Sequence, residues 1–305
     1  MNVLLTGAFN YSPEQIEKIK ELGFRVTFVQ DEREKVSFDC AEFDCVVCNG
    51  LFLYHPIERF EKLKLVQLTS AGLDRVPLDY VREHHIQLFN ARGVYSAPMA
   101  EFAVLGVLQL YKNSFGFFEN QQKHLWVKDR TLLELTEKKV LIIGTGSVGT
   151  ETAKRFRAFG CTVLGADISV CENSAFDRIY AMDELPVLLG QCDAVILTLP
   201  LTPETKGMVD AQFLARMKSS AVLVNIARGP IINEEALSCA LAERKLLGAA
   251  LDVFEEEPLG QSSPLWTMEN AVLTPHNSFV SDKTAGRLFR VIYENLKTFS
   301  EKGMN

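Results

Sequence analysis

The sequence predicts an α/β protein built from two doubly wound parallel sheets. Three observations carry this. Short apolar runs alternate with helical patterns along the chain, which argues for parallel strands joined by crossover helices. In the second half those runs are continuous rather than alternating, as strands buried on both faces require. The 305 residues also exceed one typical domain, so two compact units are the natural division.

Residues 3–6 read as the first strand. Ser12-Pro13-Glu14 opens a helix with Pro in its first turn, and Gly23 closes it after Leu22. Arg25–Val29, Cys45–Cys48, Leu65–Leu68 and 86–89 are further strands, with helical segments between several of them. A helix over 98–118 follows; from Met99 to Leu108 it is apolar on nearly all sides, so burial between elements or in a subunit interface is expected. The second sheet takes the runs 140–143, 162–166, 194–199, 221–226, 248–253 and 272–274, with helices at 147–159 and 234–245 among the connections. Val148, Thr152, Ala153, Phe156 and Phe159 make one face of the former. A final amphipathic helix runs over about 282–300.

Composition narrows the function. Hydrophobic residues make up 47%, enough for a large core, and the net charge is −7. A chain of that sign offers no footprint for a phosphate backbone, which disfavours nucleic acid. The start, Met1-Asn2-Val3-Leu4-Leu5-Thr6-Gly7, lacks the basic and long apolar regions of a signal peptide. No apolar run approaches the ~18 residues a membrane span needs, and a soluble cytoplasmic protein is expected. The seven cysteines show no framework spacing. Cys45 and Cys48 form a CxxC beside Cys40, but residues three apart on a strand point to opposite faces, and no second pair follows to complete a zinc site. They are read as reduced core cysteines, and no metal is expected.

Gly144-Thr145-Gly146-Ser147-Val148-Gly149 is GxGxxG, directly after a strand and opening a helix, the context in which this pattern binds dinucleotides. The glycines serve a tight turn, backbone approach to a pyrophosphate and close helix packing, and the helix N-terminus offers N–H groups to the phosphates. Asp167 ends the next strand about 20 residues further on, where an acid accepts the ribose hydroxyls and repels a 2′-phosphate. No Arg or Lys follows at Ile168 or Ser169, so NAD is expected rather than NADP.

The chain resembles the D-isomer-specific 2-hydroxyacid dehydrogenases, which include phosphoglycerate, D-lactate and hydroxypyruvate/glyoxylate enzymes. The resemblance rests on Leu199-Pro200-Leu201-Thr202-Pro203-Glu204-Thr205, Val224-Asn225-Ile226-Ala227-Arg228-Gly229, Leu251-Asp252-Val253-Phe254 through Glu257-Pro258-Leu259, and Thr274-Pro275-His276-Asn277, with Ser70-Ala71-Gly72-Leu73-Asp74 and Ala100-Glu101 upstream. It implies a Rossmann-type NAD domain at 97–280 and a flavodoxin-like substrate domain at 1–96 plus 281–305, with a cleft between them. It also implies hydride transfer between the nicotinamide and C2 of a small D-2-hydroxy or 2-oxo acid. Arg228 then binds and polarises the substrate, His276 is acid and base, and Glu257 orients His276.

The same resemblance implies cofactor contacts at Gly144, Gly146, Ser147, Val148, Gly149, Asp167, Leu199, Pro200, Thr205, Ile226, Ala227, Asp252, Ser278 and Met99. The loops Asn49-Gly50-Leu51 and Ser70-Ala71-Gly72 are expected to offer backbone N–H groups to the substrate carboxylate. Relatives pair as homodimers through their NAD domains. Arg75 reads as a surface arginine with a possible phosphate contact, Phe279 as a pocket residue, and His55, His84, His85 and His124 as ordinary histidines. An NAD(H)-sensing binder of the corepressor kind, which the family contains, is the alternative. Formate-type enzymes place Gln where this chain has Glu257, and a phosphite-type oxidoreductase ranks equally low.

Overall fold

A computed structural model describes residues 1–34 and 38–303. The chain divides into two compact units: Met1–Tyr95 with the chain from Ser281 on, and Ser96–Val280. The first unit runs β1 (Asn2–Thr6), α1 (Pro13–Glu21), β2 (Arg25–Val29), β3 (Cys45–Cys48), β4 (Leu65–Leu68), α2 (Leu78–Glu83) and β5 (Gln87–Phe89). The second runs α3 (Ser96–Tyr111), α4 (Ser114–Gln122), β6 (Lys139–Ile143), α5 (Ser147–Ala158), β7 (Thr162–Asp167), β8 (Arg178–Ala181), α6 (Leu185–Leu189), β9 (Ala194–Leu197), α7 (Ala211–Arg216), β10 (Val222–Asn225), α8 (Glu234–Ala242), β11 (Gly248–Leu251) and β12 (Ala271–Leu273). α9 (Thr284–Gly303) returns to the first unit. Among the described residues no helix is long and apolar enough to cross a membrane.

The first sheet is parallel with the order β2-β1-β3-β4-β5, the flavodoxin-like arrangement. β3 is buried along its length because both faces are covered. Cys45 and Val47 pack with Val3, Leu5 and Leu65 on one face, against Ile19 of α1. Val46 and Cys48 pack with Leu4, Val66 and Leu68 on the other, against Val81 of α2. The two cysteines therefore point away from each other as free thiols, and burial is the main cause that lifts Cys45 to about 12 and Cys48 well above its ordinary value. α9 brings Leu288, Ile292, Leu296 and Phe299 to the first of these faces at helical spacing. Each fully buried Ile or Leu there contributes roughly 1.5–3 kcal/mol. Its Asn295 also donates at 2.6 Å to Gln67, a fully buried polar side chain of β4 that needs a partner.

The second sheet is parallel with the order β12-β11-β10-β9-β6-β7-β8. This is the Rossmann order with a seventh strand, and the direction of winding reverses between β6 and β9. Leu141, Ile143, Val195, Leu197 and Leu223 face α6, α7 and α8, while Val140, Ile142, Ala194, Ile196 and Val222 face α3 and α5. Apolar residues thus occupy successive positions, which is why no alternation shows in these runs.

Two expectations change. The helix expected over 98–118 is two helices. Asn113 turns into left-handed backbone, φ 46°, and its side chain caps α4 by accepting from Gly116 N at 3.3 Å. α3 buries Ala100, Ala103, Val107 and Tyr111, but α4 buries nothing, so the apolar run is not matched by burial throughout. Phe159, expected on the buried face of α5, is its C-cap and 44% exposed, whereas Thr152, Ala153 and Phe156 are buried. β8 was not expected: it is a four-residue edge strand only partly buried, too short for a periodic signal.

Candidate active site

β6 ends in the glycine loop, and the loop's shape follows from contacts that exclude side chains. A Cβ on Gly149 would stand 2.0 Å from the Gly144 carbonyl oxygen, so α5 can begin this close to β6 only with glycine there. Gly144 itself has φ 97°. Gly146 is different. It caps α5, and a Cβ on it would meet nothing within 4 Å. The first turn of α5, including Ser147 and Val148, therefore opens onto free space with N–H groups that have no acceptor within the helix. Anions bind at such an end. Asp167, the last residue of β7, accepts from Thr145 N at 2.6 Å and Thr145 Oγ1 at 2.9 Å, and from Ser169 N at 3.2 Å. Burial alone raises its pKa, but the N–H groups of Thr145 and Ser169 outweigh it and hold the carboxyl below its usual range. A glycine cradle, a helix N-terminus and an ionised acid fit a dinucleotide.

Other expected cofactor contacts stand at the carboxyl ends of the same sheet. Leu199 and Pro200 follow β9, and Thr205 braces that turn, donating to Pro200 O at 2.8 Å and accepting from Thr202 N at 2.7 Å. Ile226 and Ala227 follow β10, Asp252 follows β11, and Ser278 lies beyond β12. Met99 sits apart from them in sequence, in the first turn of α3, half-buried against the core.

Asn225 closes β10 and is fully buried. Its Oδ1 accepts from Ala227 N at 3.0 Å and its Nδ2 donates to Arg228 O at 3.0 Å, so one side chain sets the turn that presents Arg228. Arg228 is half-buried with extended backbone, and its Nη1 donates to Ala227 O at 2.8 Å. Glu257 and His276 meet directly: Oε2 lies 2.7 Å from Nδ1. Glu257 Oε1 accepts from Phe254 N at 3.1 Å. A carboxylate on Nδ1 favours the tautomer with its proton there and leaves Nε2 to exchange a proton elsewhere.

His276 has left-handed backbone, φ 50°, which is costly for a residue with a Cβ unless its surroundings enforce it. Asp252 enforces it. Its carbonyl accepts from His276 N at 2.7 Å. Its buried carboxylate accepts from Thr274 Oγ1 at 2.7 Å, Asn277 N at 2.8 Å and Ser278 N at 2.9 Å. Both carboxylate oxygens of Asp252, expected among the cofactor contacts, are thus committed to the loop that carries His276. Phe279 lies edge-on to the imidazole, centroids 6.0 Å apart.

In the first unit the two expected anion loops differ. The N–H groups of Asn49 and Gly50 each donate to Glu32 at 2.7 Å, and Thr6 Oγ1 donates to the same carboxylate at 2.6 Å. Leu51 is buried in the short turn that follows. An internal carboxylate therefore already occupies that donor pair. In the other loop Ser70 Oγ donates to Gly72 O at 3.0 Å and Asn90 Nδ2 to Ala71 O at 2.7 Å, whereas the N–H groups of Ala71 and Gly72 make no hydrogen bond among the described residues. His55 Nε2 contacts the Glu32 carbonyl at 3.0 Å, and His84 stacks on Tyr80, both local packing roles. Among the described residues no three His, Cys, Asp or Glu are grouped to hold a metal ion.

Sequence reasoning missed Glu32, Asn225 and Thr274. Asn225 and Thr274 sit inside the motifs that carried the resemblance and were open to the question of what fixes the next residue. Glu32 has no motif; only the pairing of strands brings it to Asn49.

Comparison with known proteins decides the family. The pattern described as "D-isomer specific 2-hydroxyacid dehydrogenase, NAD binding domain" matches residues 104–278. The chain belongs to this family. It is 30% identical over 285 residues to the (S)-sulfolactate dehydrogenase of Chromohalobacter salexigens, covering 92% of each chain. It is 33% identical to the glyoxylate reductase of Korarchaeum cryptofilum, over 83% of this chain and 80% of that one. A 2-hydroxyacid dehydrogenase of Xanthobacter autotrophicus, solved with NADPH and MES, superposes with a TM-score of 0.82 at 27% identity, covering 99% of this chain and 95% of the other. In a dehydrogenase of this family, the glycine loop and the Arg228, Glu257 and His276 segments stand on a single domain, at the carboxyl ends of one sheet.

Proposed function

We propose that the protein reduces a small 2-oxo acid to the D-2-hydroxy acid, and the reverse, with NAD(H). The observation that carries this is the 2.7 Å contact between His276 Nδ1 and Glu257 Oε2, on a loop gripped by Asp252. When bound, the nicotinamide supplies or takes the hydride. Arg228 binds the substrate carboxylate and carbonyl through its planar fork and draws charge toward the carbonyl oxygen. His276 gives a proton from Nε2 to that oxygen in reduction and recovers it in oxidation. Glu257 holds the ring in its orientation with the Nδ1 proton toward its carboxylate. In the first unit the N–H groups of Ala71 and Gly72 are donors suited to an anion. Asp167, with no neighbouring Arg or Lys at 168–170, supports NAD over NADP.

Two features extend the reading. Leu105, Phe115 and Phe118 on α3 and α4 are 46%, 46% and 57% exposed, which supports pairing of two copies through the second unit. The cysteines are free thiols, which suits a reducing, cytoplasmic compartment.

The test is NADH oxidation, repeated with NADPH, against glyoxylate, hydroxypyruvate, pyruvate, 2-oxoisocaproate and phosphohydroxypyruvate. A preferred acid with NADH is expected, and Arg228→Ala and His276→Ala each lower kcat by about 100-fold or more while NADH still binds. Silence across the panel with NADH bound supports the sensing alternative; unchanged kcat in either variant overturns the catalytic assignment.

A further inference from the structure

The loop that carries Glu257 is held from two sides. On one side Gly229, directly after Arg228, packs so closely that a Cβ there would lie 1.8 Å from Phe254 O and 2.6 Å from Glu255 N. On the other side stands Glu234, the first residue of α8. Glu234 N donates to Glu255 Oε1 at 3.1 Å, and Glu255 N donates to Glu234 Oε1 in return. Each acid binds the other's backbone, so the pair forms a closed clasp between the α8 N-terminus and the segment that continues into Glu257.

We propose that Glu234 is a positioning residue for the Glu257–His276 pair. It keeps Phe254 N aimed at Glu257 Oε1, and thereby Glu257 Oε2 on His276, without touching substrate or cofactor. Only a short turn, Gly229–Ile231, and the cap residues Ile232 and Asn233 separate Arg228 from Glu234. The clasp therefore also registers the Arg228 turn against the Glu257 loop. A solvated acidic helix start would be expected to hold its pKa at or below the ordinary value. The Glu234 carboxyl is instead raised, first by burial and further by the charges of Glu255 and Glu257, against the pull of the Glu255 N–H. The inference rests on the roles proposed above for Glu257 and His276.

Three variants test it: Glu234→Ala removes the acceptor, Glu234→Gln keeps one, and Glu255→Ala opens the other half on an exposed loop where folding is not at stake. Two readouts are taken. The first is steady-state turnover with the 2-oxo acid that the panel selects. The second, independent of turnover, is the low-field Nδ1–H proton signal of His276 in 15N-histidine-labelled protein, assigned by its loss in His276→Ala. Glu234→Ala is expected to lower kcat at least tenfold and to shift or broaden that signal, with NADH affinity within twofold of wild type. Glu255→Ala should do the same to a smaller degree. Glu234→Gln should stay within about threefold of wild type with the signal in place. An unmoved signal and unchanged kcat in Glu234→Ala and Glu255→Ala overturn the proposal, as does a Gln variant as damaged as the Ala one. If His276→Ala retains full turnover, the catalytic reading fails instead, and the proton signal still decides the clasp.

Discussion

Asparagine in place of Asp252 changes one oxygen for an NH2 and leaves the shape almost unaltered. Its consequences can be worked from three contacts. Oδ1 accepts two donors, Thr274 Oγ1 at 2.7 Å and Asn277 N at 2.8 Å, and Oδ2 accepts one, Ser278 N at 2.9 Å. An amide has a single acceptor, so its better orientation keeps the Oδ1 pair and turns NH2 toward the Ser278 N–H. One charge-assisted bond is lost and two donors face each other in a place where the side chain is 2% exposed. Leaving a buried donor unmet costs about 1–3 kcal/mol, and the two surviving bonds weaken with the loss of charge. A total of about 2–4 kcal/mol follows, a fall in Tm on the order of 10 °C for a unit of this size.

The damage falls on the loop that holds His276 in left-handed backbone, so kcat should drop at least tenfold. Thermal unfolding and turnover of the same preparation check the two parts. A variant with Tm within 1 °C of wild type and unchanged kcat would refute the idea that this carboxylate fixes the loop.

Two further outcomes are expected. Gly146→Ala puts a methyl group into open space, so Tm should hold within about 1 °C, yet NADH affinity should fall at least tenfold because that space is where a pyrophosphate approaches; fluorescence titration decides, and unaltered affinity counts against the cradle. Asp193 ties two strand starts together, accepting from Lys139 N at 2.9 Å and Lys218 Nζ at 3.0 Å. Burial works to raise its pKa, but the Lys139 N–H and Lys218 outweigh it and depress the folded value. The stability it adds is therefore complete above the unfolded value of about 3.9 and is lost as pH falls through the lower folded value. Asp193→Asn should be less stable than wild type at pH 7, with the gap closing below about pH 4; a gap independent of pH in urea titrations would count against it.

Local chemistry was legible wherever it is written in neighbouring residues. Ser12-Pro13 starts α1 where cap and proline place it, and the glycine loop opens α5 because strand, turn and helix follow one another directly. The break at Asn113 was also within reach, since Lys112-Asn113-Ser114 holds two good capping residues, but the apolar run on both sides outweighed them. The position of Asp167 was legible from its spacing, while its grip on Thr145 was not, because that contact exists only once β6 and β7 pair. Asp252 is the same case: its place in a motif was plain, but its hold on residues 274–278 needs β11 beside β12. Arg228, Glu257 and His276 came from the family resemblance of the motifs that hold them; the 2.7 Å contact that joins two of them came only with the fold.

A single physical device recurs at these strand ends. A parallel strand that stops and turns leaves backbone N–H groups with no neighbour to accept them. At several of these ends a carboxylate supplies the acceptor. Asp167 takes Thr145 N, Asp252 takes Asn277 N and Ser278 N, Glu32 takes Asn49 N and Gly50 N, and Glu234 and Glu255 take each other's. These acidic residues are fasteners of the loops, and some of the net charge of −7 is spent there. A carboxylate suits the task because, when ionised, both of its oxygens accept and it can take several donors at once. The loop that Asp167 holds should therefore loosen when the solution becomes acid enough to protonate that carboxyl, whose folded value lies below its ordinary one, before the apolar sheets themselves give way. Amide exchange at Thr145 rising ahead of exchange in β6 and β10 as pH is lowered, after correction for intrinsic rates, is the expected pattern; simultaneous loss across loop and strands would show that this carboxylate does not act as a separate layer of stability.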